Sequence, residues 1–153
     1  MLMVCLGNIC RSPMAEGILR SKAKKLGLSI HVDSCGTANY HVGERPDVRS
    51  ISKSKEHGID ISRLFGRQFS SEDFENFDHI LVMDNSNFTN VERQAKNKVD
   101  LKKVDMILNY SDKGSDRDVP DPYYGGEDGF EKVFQLLDKA CDSFIIHHFN
   151  GSE

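Results

Sequence analysis

Hydrophobic positions along this chain change period several times, and each change marks an element. Met1 to Val4 is a short apolar run ending at Cys5, the pattern of a buried strand. From Met14 the period becomes helical: Met14, Ala15, Ile18, Leu19 and Leu26 recur at helical spacing. Ser12 is a candidate cap, Pro13 suits the first helical position, and Gly27 stops the run. Leu28, Ile30 and Val32 alternate, which predicts a second strand. Residues 47 to 57 predict a helix closed by Gly58, and Ser70 with Asp73 predicts the start of a short one. Ile80, Leu81, Val82 and Met83 form a continuous apolar run, a third strand, followed by a helix over 86–94 and a fourth strand over 104–108. A loop over 109–126, rich in Asp, Gly, Ser and Pro, leads to the last helix. There Phe130, Val133, Phe134, Leu137, Cys141, Phe144 and Ile145 make one apolar stripe, and His147-His148 reads as a frayed tip.

Strands alternating with helices predict an α/β fold: a single domain over residues 1–153, with a four-stranded parallel sheet and helices on both faces. No repeat or linker divides it. Parallel sheets of this kind hold ligands at the carboxyl ends of their strands. Cys5, Ser34, Asp84 and the 109–126 loop all fall at such ends.

Composition narrows the partners. At 153 residues, 38% hydrophobic and 29% charged, the chain is an ordinary globular one. A net charge of −4 argues against nucleic acid, whose phosphates call for a positive field. No run approaches the roughly 18 apolar residues of a membrane span. Met1 to Val4 lacks the basic region and long apolar core of a secretion signal, and a strand this short leaves room for residues ahead of Met1. Four cysteines, Cys5, Cys10, Cys35 and Cys141, are too few for a secreted disulfide framework and fit reduced thiols in a cytoplasm. No Cys/His group has zinc spacing, so neither a metal nor a cofactor is expected.

The chemistry concentrates in residues 5–12. A loop between strand and helix turns backbone N–H groups inward, and the helix N-terminus adds partial positive charge. Arg11 adds a planar fork able to grip two oxygens of a phosphate-like dianion. The same field favours the thiolate of a cysteine at the loop's start, the form that attacks phosphorus. Gly7 permits close backbone approach, and the Asn8 amide can hold the loop. The bare spacing, Cys, five residues, Arg, also fits a plain strand–turn–helix.

More than spacing is present. Cys5-Leu6-Gly7-Asn8-Ile9-Cys10-Arg11-Ser12-Pro13-Met14-Ala15-Glu16 resembles the signature loop of the low-molecular-weight protein tyrosine phosphatases. The resemblance continues through Val32-Asp33-Ser34, Tyr40 to Asp47, Asp73-Phe74 to Asn87, and Asp121-Pro122-Tyr123-Tyr124-Gly125. It implies that Cys5 is the nucleophile of a phosphocysteine intermediate and Arg11 the phosphoryl clamp. Asp121 would be the general acid and then the base, a role that phosphate-ester cleavage itself requires of some carboxyl group. Ser12 would stabilise the thiolate as it leaves. The loop from Leu6 through Cys10 would bind phosphate or another oxyanion, with Tyr40, Tyr123 and Tyr124 around the phenyl ring of a phosphotyrosine-containing protein. Asn8, Ser34, Asp84 and Glu16 would brace the loop, with helix capping an equal reading for Asp84. Cys10 would protect an oxidised Cys5 through a reversible bridge, or else simply pack beneath the loop.

One departure stands out. The family often carries a histidine after Gly58-Ile59-Asp60-Ile61-Ser62 that pairs with the glutamate of the first helix; here Arg63-Leu64-Phe65 follows. Arg63 is therefore the expected partner of Glu16. Related arsenate reductases need a mid-chain cysteine pair, and none stands between Cys35 and Cys141. Arginine-phosphate phosphatases of this fold tend to carry Thr where Ile9 stands. An idle phosphotyrosine-binding module would usually have lost Cys5, Arg11 or Asp121, and all three are present.

Overall fold

Cys5 closes the central strand, and the sheet is built outward from it. The computed structural model describes residues 1–124 and 127–149, apart from the side chains of Tyr124 and Glu127. Strand β1 (Leu2–Cys5) lies between β2 (Asp33–Gly36) and β3 (Ile80–Val82), with β4 (Val104–Met106) beyond β3. All pairings are parallel. The helices are α1 (Arg11–Lys25), α2 (Val48–Glu56), α3 (Asp73–Asn76), α4 (Asn85–Glu92), α5 (Lys98–Lys102) and α6 (Glu127–Phe149). Short 3₁₀ turns cover Ile107–Tyr110 and Pro122–Tyr124.

The two-residue period of the strands divides the core in two. Met1, Met3, Cys5, Leu81 and Met83 face α1 and α6, while Leu2, Val4, Cys35, Ile80, Val82, Val104 and Met106 face Phe74, Phe77 and Val91 on the other side. The stripe of α6 enters the first layer as its spacing predicts: Phe130, Val133, Leu137, Cys141 and Phe144 are all buried. Leu137 is completely buried, and truncating such a side chain to alanine costs about 2–5 kcal/mol. The first nine residues of α1 are buried on every side, so its opening turn is fixed by the sheet behind it and by neighbouring helices.

Several boundaries differ from expectation. The second strand is not 28–32 but Asp33–Gly36. Leu28 and Ile30 pack on the core in a segment outside the sheet, while the ladder with β1 begins where Leu2 meets Asp33. Ser12 does not cap α1; the helix starts at Arg11 with Cys10 at the cap position, and the Ser12 hydroxyl points elsewhere. The fourth strand ends at Met106 because the chain then coils into the 3₁₀ turn. His148 is not a frayed tip: its Nε2 lies 3.2 Å from the Tyr110 hydroxyl and its ring packs on Phe144. Among the described residues, no helix is long and apolar enough to cross a membrane.

Candidate active site

The strand order turns at β1, so the carboxyl ends of β1 and β3 open onto one crevice, the position where parallel sheets place ligands. From the end of β1 the chain curls through residues 6–10 into the N-terminus of α1. Asn8 takes a left-handed backbone (φ 59°), tolerable for asparagine, which turns the loop back on itself. Gly36 of β2 backs this turn: a Cβ there would meet the Leu6 carbonyl oxygen at 2.7 Å.

Cys5 Sγ sits at the centre of the loop, 3.0 Å from Ser12 Oγ and accepting the Asn8 backbone N–H at 3.3 Å. The Asn8 amide spends both N–H groups on hydroxyls, Ser12 at 2.7 Å and Ser34 at 3.0 Å, and its carbonyl accepts the Arg67 backbone N–H at 3.1 Å. Ser34 donates its own O–H to Glu16 Oε1 at 2.6 Å. Asn8, Ser34 and Glu16 are thus linked by one directional chain of hydrogen bonds. Its far end corrects the sequence reading. Glu16 is held by Arg20, not Arg63: the Arg20 guanidinium donates to Glu16 Oε2 and, at 2.7 Å, to the Val32 carbonyl. Arg63 is exposed on the segment after Ile61, whereas Arg20 stands one helical turn along α1. Burial raises the Glu16 carboxyl above its ordinary value, although Ser34 and Arg20 pull the other way.

Arg11 is almost fully buried. Its Nη1 donates to Asp84 Oδ2 at 2.8 Å and to the Val119 carbonyl at 2.9 Å, and its Nη2 lies 3.7 Å from Asp121 Oδ2. Burial opposes its charge, but Cys5, Asp84 and Asp121 outweigh that and hold the guanidinium above its ordinary value. Asp84 makes contacts of both kinds, since its other oxygen accepts the Asn87 N–H and closes a capping box on α4. Asp121 Oδ1 accepts the Tyr123 N–H at 3.0 Å, which turns its second oxygen toward Arg11.

Cys5, Arg11 and Asp121 share one cleft of about 220 Å³ with Leu6, Gly7, Ile9, Cys10, Tyr40 and Tyr123. Tyr40 and Leu6 are exposed at its edge. Tyr123 is braced by the Arg49 guanidinium, 5.2 Å from its ring centroid, and Arg49 is itself held by Asp47 at 2.9 and 3.0 Å. The side chain of Tyr124 lies outside the described residues. Burial, with Asp47, Cys5 and Asp121 adding to it, raises the Cys10 thiol far above its ordinary value, so it stays neutral. Among the described residues, no group of three or more His, Cys, Asp or Glu side chains could hold a metal ion.

The sequence reading missed His41, which lines the cleft and pairs with Glu44 at 2.8 Å. It also missed the Val119 carbonyl and the Arg67 N–H, main-chain groups that carry no signal in their side chains. Arg20 could have been found, because four residues after Glu16 is the spacing of a helical ion pair.

The chain as a whole has known counterparts. Residues 1–150 match the family described as low molecular weight phosphotyrosine protein phosphatase. A relative of that name from Schizosaccharomyces pombe is 47% identical over 141 residues, covering 90% of this chain and 89% of the relative. The crystal structure of a protein tyrosine phosphatase from Entamoeba histolytica, with Hepes in its active site, superposes with a TM-score of 0.91 at 36% identity, over 99% of this chain and 97% of the other. A Drosophila arginine phosphatase superposes with a TM-score of 0.90 at 35% identity, over 97% and 96%. The chain belongs to the low molecular weight phosphotyrosine protein phosphatase family.

Proposed function

We propose that this protein is a protein-tyrosine phosphatase that hydrolyses phosphotyrosine and small aryl phosphates through a phosphocysteine on Cys5, working as one domain over residues 1–153. The observation that carries this reading is the convergence on one cleft of Cys5 Sγ, the Arg11 fork and the Asp121 carboxyl, with Ser12 and Asn8 donors beneath the sulfur. The phosphoryl group sits in the loop, its oxygens on backbone N–H groups at the start of α1 and on Arg11. Cys5 attacks phosphorus in line with the phenolic oxygen; the S–P bond forms as the P–O bond breaks, and Asp121 gives its proton to the departing oxygen. Water then attacks the phosphocysteine and yields its proton to Asp121. The S–P electron pair returns to sulfur, where the Ser12 hydroxyl and Asn8 N–H receive it. No cofactor or metal enters either step.

Leu6, Ile9, Tyr40 and Tyr123 give the cleft the apolar and aromatic surface that suits a phenyl ring. That favours phosphotyrosine over a guanidinium phosphate, the substrate implied by the name of the Drosophila neighbour. Four free cysteines support a reducing, cytoplasmic setting, and Cys10 beside Cys5 supports reversible oxidation as a property of the site.

Turnover of 4-nitrophenyl phosphate, phosphotyrosine peptide and phosphoarginine, each by wild type and by Cys5→Ser, tests the reading. The expected result is hydrolysis of the first two by wild type and none by the serine variant, which still retains phosphate affinity. Turnover by Cys5→Ser near the wild-type rate would sink the covalent route. Preference for phosphoarginine would move the assignment to the arginine class, and binding without turnover would leave an idle binding module.

A further inference from the structure

Asp121 arrives in the cleft at the end of a long connection from Tyr110, and the chain must be fastened shortly before it. The fastening lies at Val119 and Asp118. Val119 is buried, donates its N–H to the Met83 carbonyl at 2.7 Å, and accepts Arg11 on its own carbonyl. Asp118 faces outward, and its Oδ1 accepts twice from Asn85, from the backbone N–H at 2.8 Å and from Nδ2 at 2.7 Å. Asn85 Nδ2 also reaches the Asp116 carbonyl at 3.1 Å.

Asp116 is one of only two non-glycine residues with positive φ among those described, at 50°. Asn109 holds it there. Its Oδ1 accepts the Asp116 N–H and its Nδ2 donates to Asp116 Oδ1, both at 2.8 Å. Asn109 is in turn bonded to Asp105 of β4 at 2.9 Å. Two asparagines that follow adjacent strands, Asn85 just beyond β3 and Asn109 in the 3₁₀ turn after β4, therefore stitch two residues of the loop, Asp116 and Asp118, to the sheet. Three successive residues beyond β3 divide the work: Met83 holds Val119, Asp84 holds Arg11, and Asn85 holds Asp118.

We infer that Asn85 and Asp118 are positioning residues for the general acid, a clip that sets the loop's register so that Asp121 meets Arg11 and the leaving oxygen. The inference rests on the assignment of Asp121 as that acid. Neither residue touches the cleft. The Asp118 oxygen serves only as an acceptor, so its charge is dispensable and its geometry is not.

The test measures kcat/KM across aryl phosphates from 4-nitrophenyl to phenyl, with melting temperature alongside, for Asn85→Ala, Asp118→Ala, Asp118→Asn and Asp121→Asn. Misplacing an acid costs most where the leaving oxygen most needs its proton. Asn85→Ala and Asp118→Ala should lose about 10-fold on phenyl phosphate and no more than about 2-fold on 4-nitrophenyl phosphate. Asp118→Asn should stay within about 2-fold of wild type on both, because its amide oxygen still accepts from Asn85. If Asp121→Asn shows the steep leaving-group dependence while Asn85→Ala and Asp118→Ala lose activity evenly or not at all, the clip is structural and the inference fails. If Asp121→Asn itself shows no such dependence, the acid assignment falls and takes the inference with it.

Discussion

Ser12 Oγ lies 3.0 Å from Cys5 Sγ while accepting an N–H from Asn8 at 2.7 Å. Because Asn8 donates to it, the hydroxyl's single proton is free for the sulfur, with the Cys35 carbonyl at 3.3 Å the weaker alternative. Such a donor acts most strongly when the sulfur carries most charge, as it is expelled from phosphorus. Ser12→Ala should therefore lower kcat by about 10²-fold, the usual effect of deleting one donor to a developing anion. kcat/KM should fall less. Rapid mixing with 4-nitrophenyl phosphate should reveal a larger burst of nitrophenol, as the phosphocysteine accumulates. Equal losses in both constants with no burst would place Ser12 in loop folding alone.

Asp121 is more exposed than Arg11 or Cys5, and one of its oxygens is spent on Tyr123, so a single oxygen faces the cleft. Asp121→Asn keeps the shape and removes the proton. Loss should be steep for phenyl phosphate, about 10² to 10⁴, and slight for aryl groups that depart without help. The same loss across a series of phenols would show that another group supplies the proton.

How far the sequence foretold this site depends on the kind of residue. Apolar runs place β1 and β3, because strands buried on both faces must be continuously apolar, while the edge strand β4 shows as Val104 and Met106 on either side of Asp105. They miss β2, where Asp33-Ser34-Cys35-Gly36 has little strand propensity. Backbone pairing to β1 makes it a strand, and the site fixes its residues: Ser34 must reach Asn8 and Glu16, and Gly36 must leave room for Leu6. Ser12 misled in the opposite way. It looks like a cap, but its hydroxyl is taken by Cys5 and Asn8 within the loop. The partners of Glu16 and Asp121 are set by tertiary approach, and for those the pattern of the chain has no signal beyond the helical spacing of Arg20.

Glu16 gives the fold a pH dependence of known sign. Its native carboxyl is raised above the ordinary value of 4.5, chiefly by burial. Between those two values the native state keeps a proton that the unfolded chain releases, so stability declines as pH rises through that window. Below it the contribution is fully present; above it the loss is constant. Glu16→Gln retains an acceptor for Ser34 and removes the titration. Its melting temperature relative to wild type should climb from pH 4.5 upward and then level off. A difference that stays flat, or shrinks as pH rises, would mean that Arg20 and Ser34 outweigh burial.

Cys10 has two readings, packing and protection, and the family resemblance favours protection. The residue is buried and its thiol is held neutral by that burial, with Asp47, Cys5 and Asp121 reinforcing it. A neutral thiol is a poor target for peroxide, so oxidation should begin at Cys5, the sulfur proposed as the nucleophile. Peroxide takes two electrons from Cys5 and leaves a sulfenic acid, its own O–O bond being reduced. Cys10, in the same loop and lining the same cleft, can then attack that sulfur, expelling hydroxide and giving up its proton as the S–S bond forms. Without it, further peroxide carries Cys5 to the sulfinic acid, which dithiothreitol does not reverse. Wild type treated with peroxide should thus lose activity and regain nearly all of it in dithiothreitol. Cys10→Ser, scored against its own starting rate, should regain only a small fraction, and mass spectrometry should find about 32 Da added, two oxygens on Cys5. A neutral attacking thiol also makes the bridge slow to close, so recovery by wild type should itself decline as the peroxide dose is raised. Should Cys10→Ser recover as fully as wild type at every dose, Cys10 is a packing residue and the loop has no such protection.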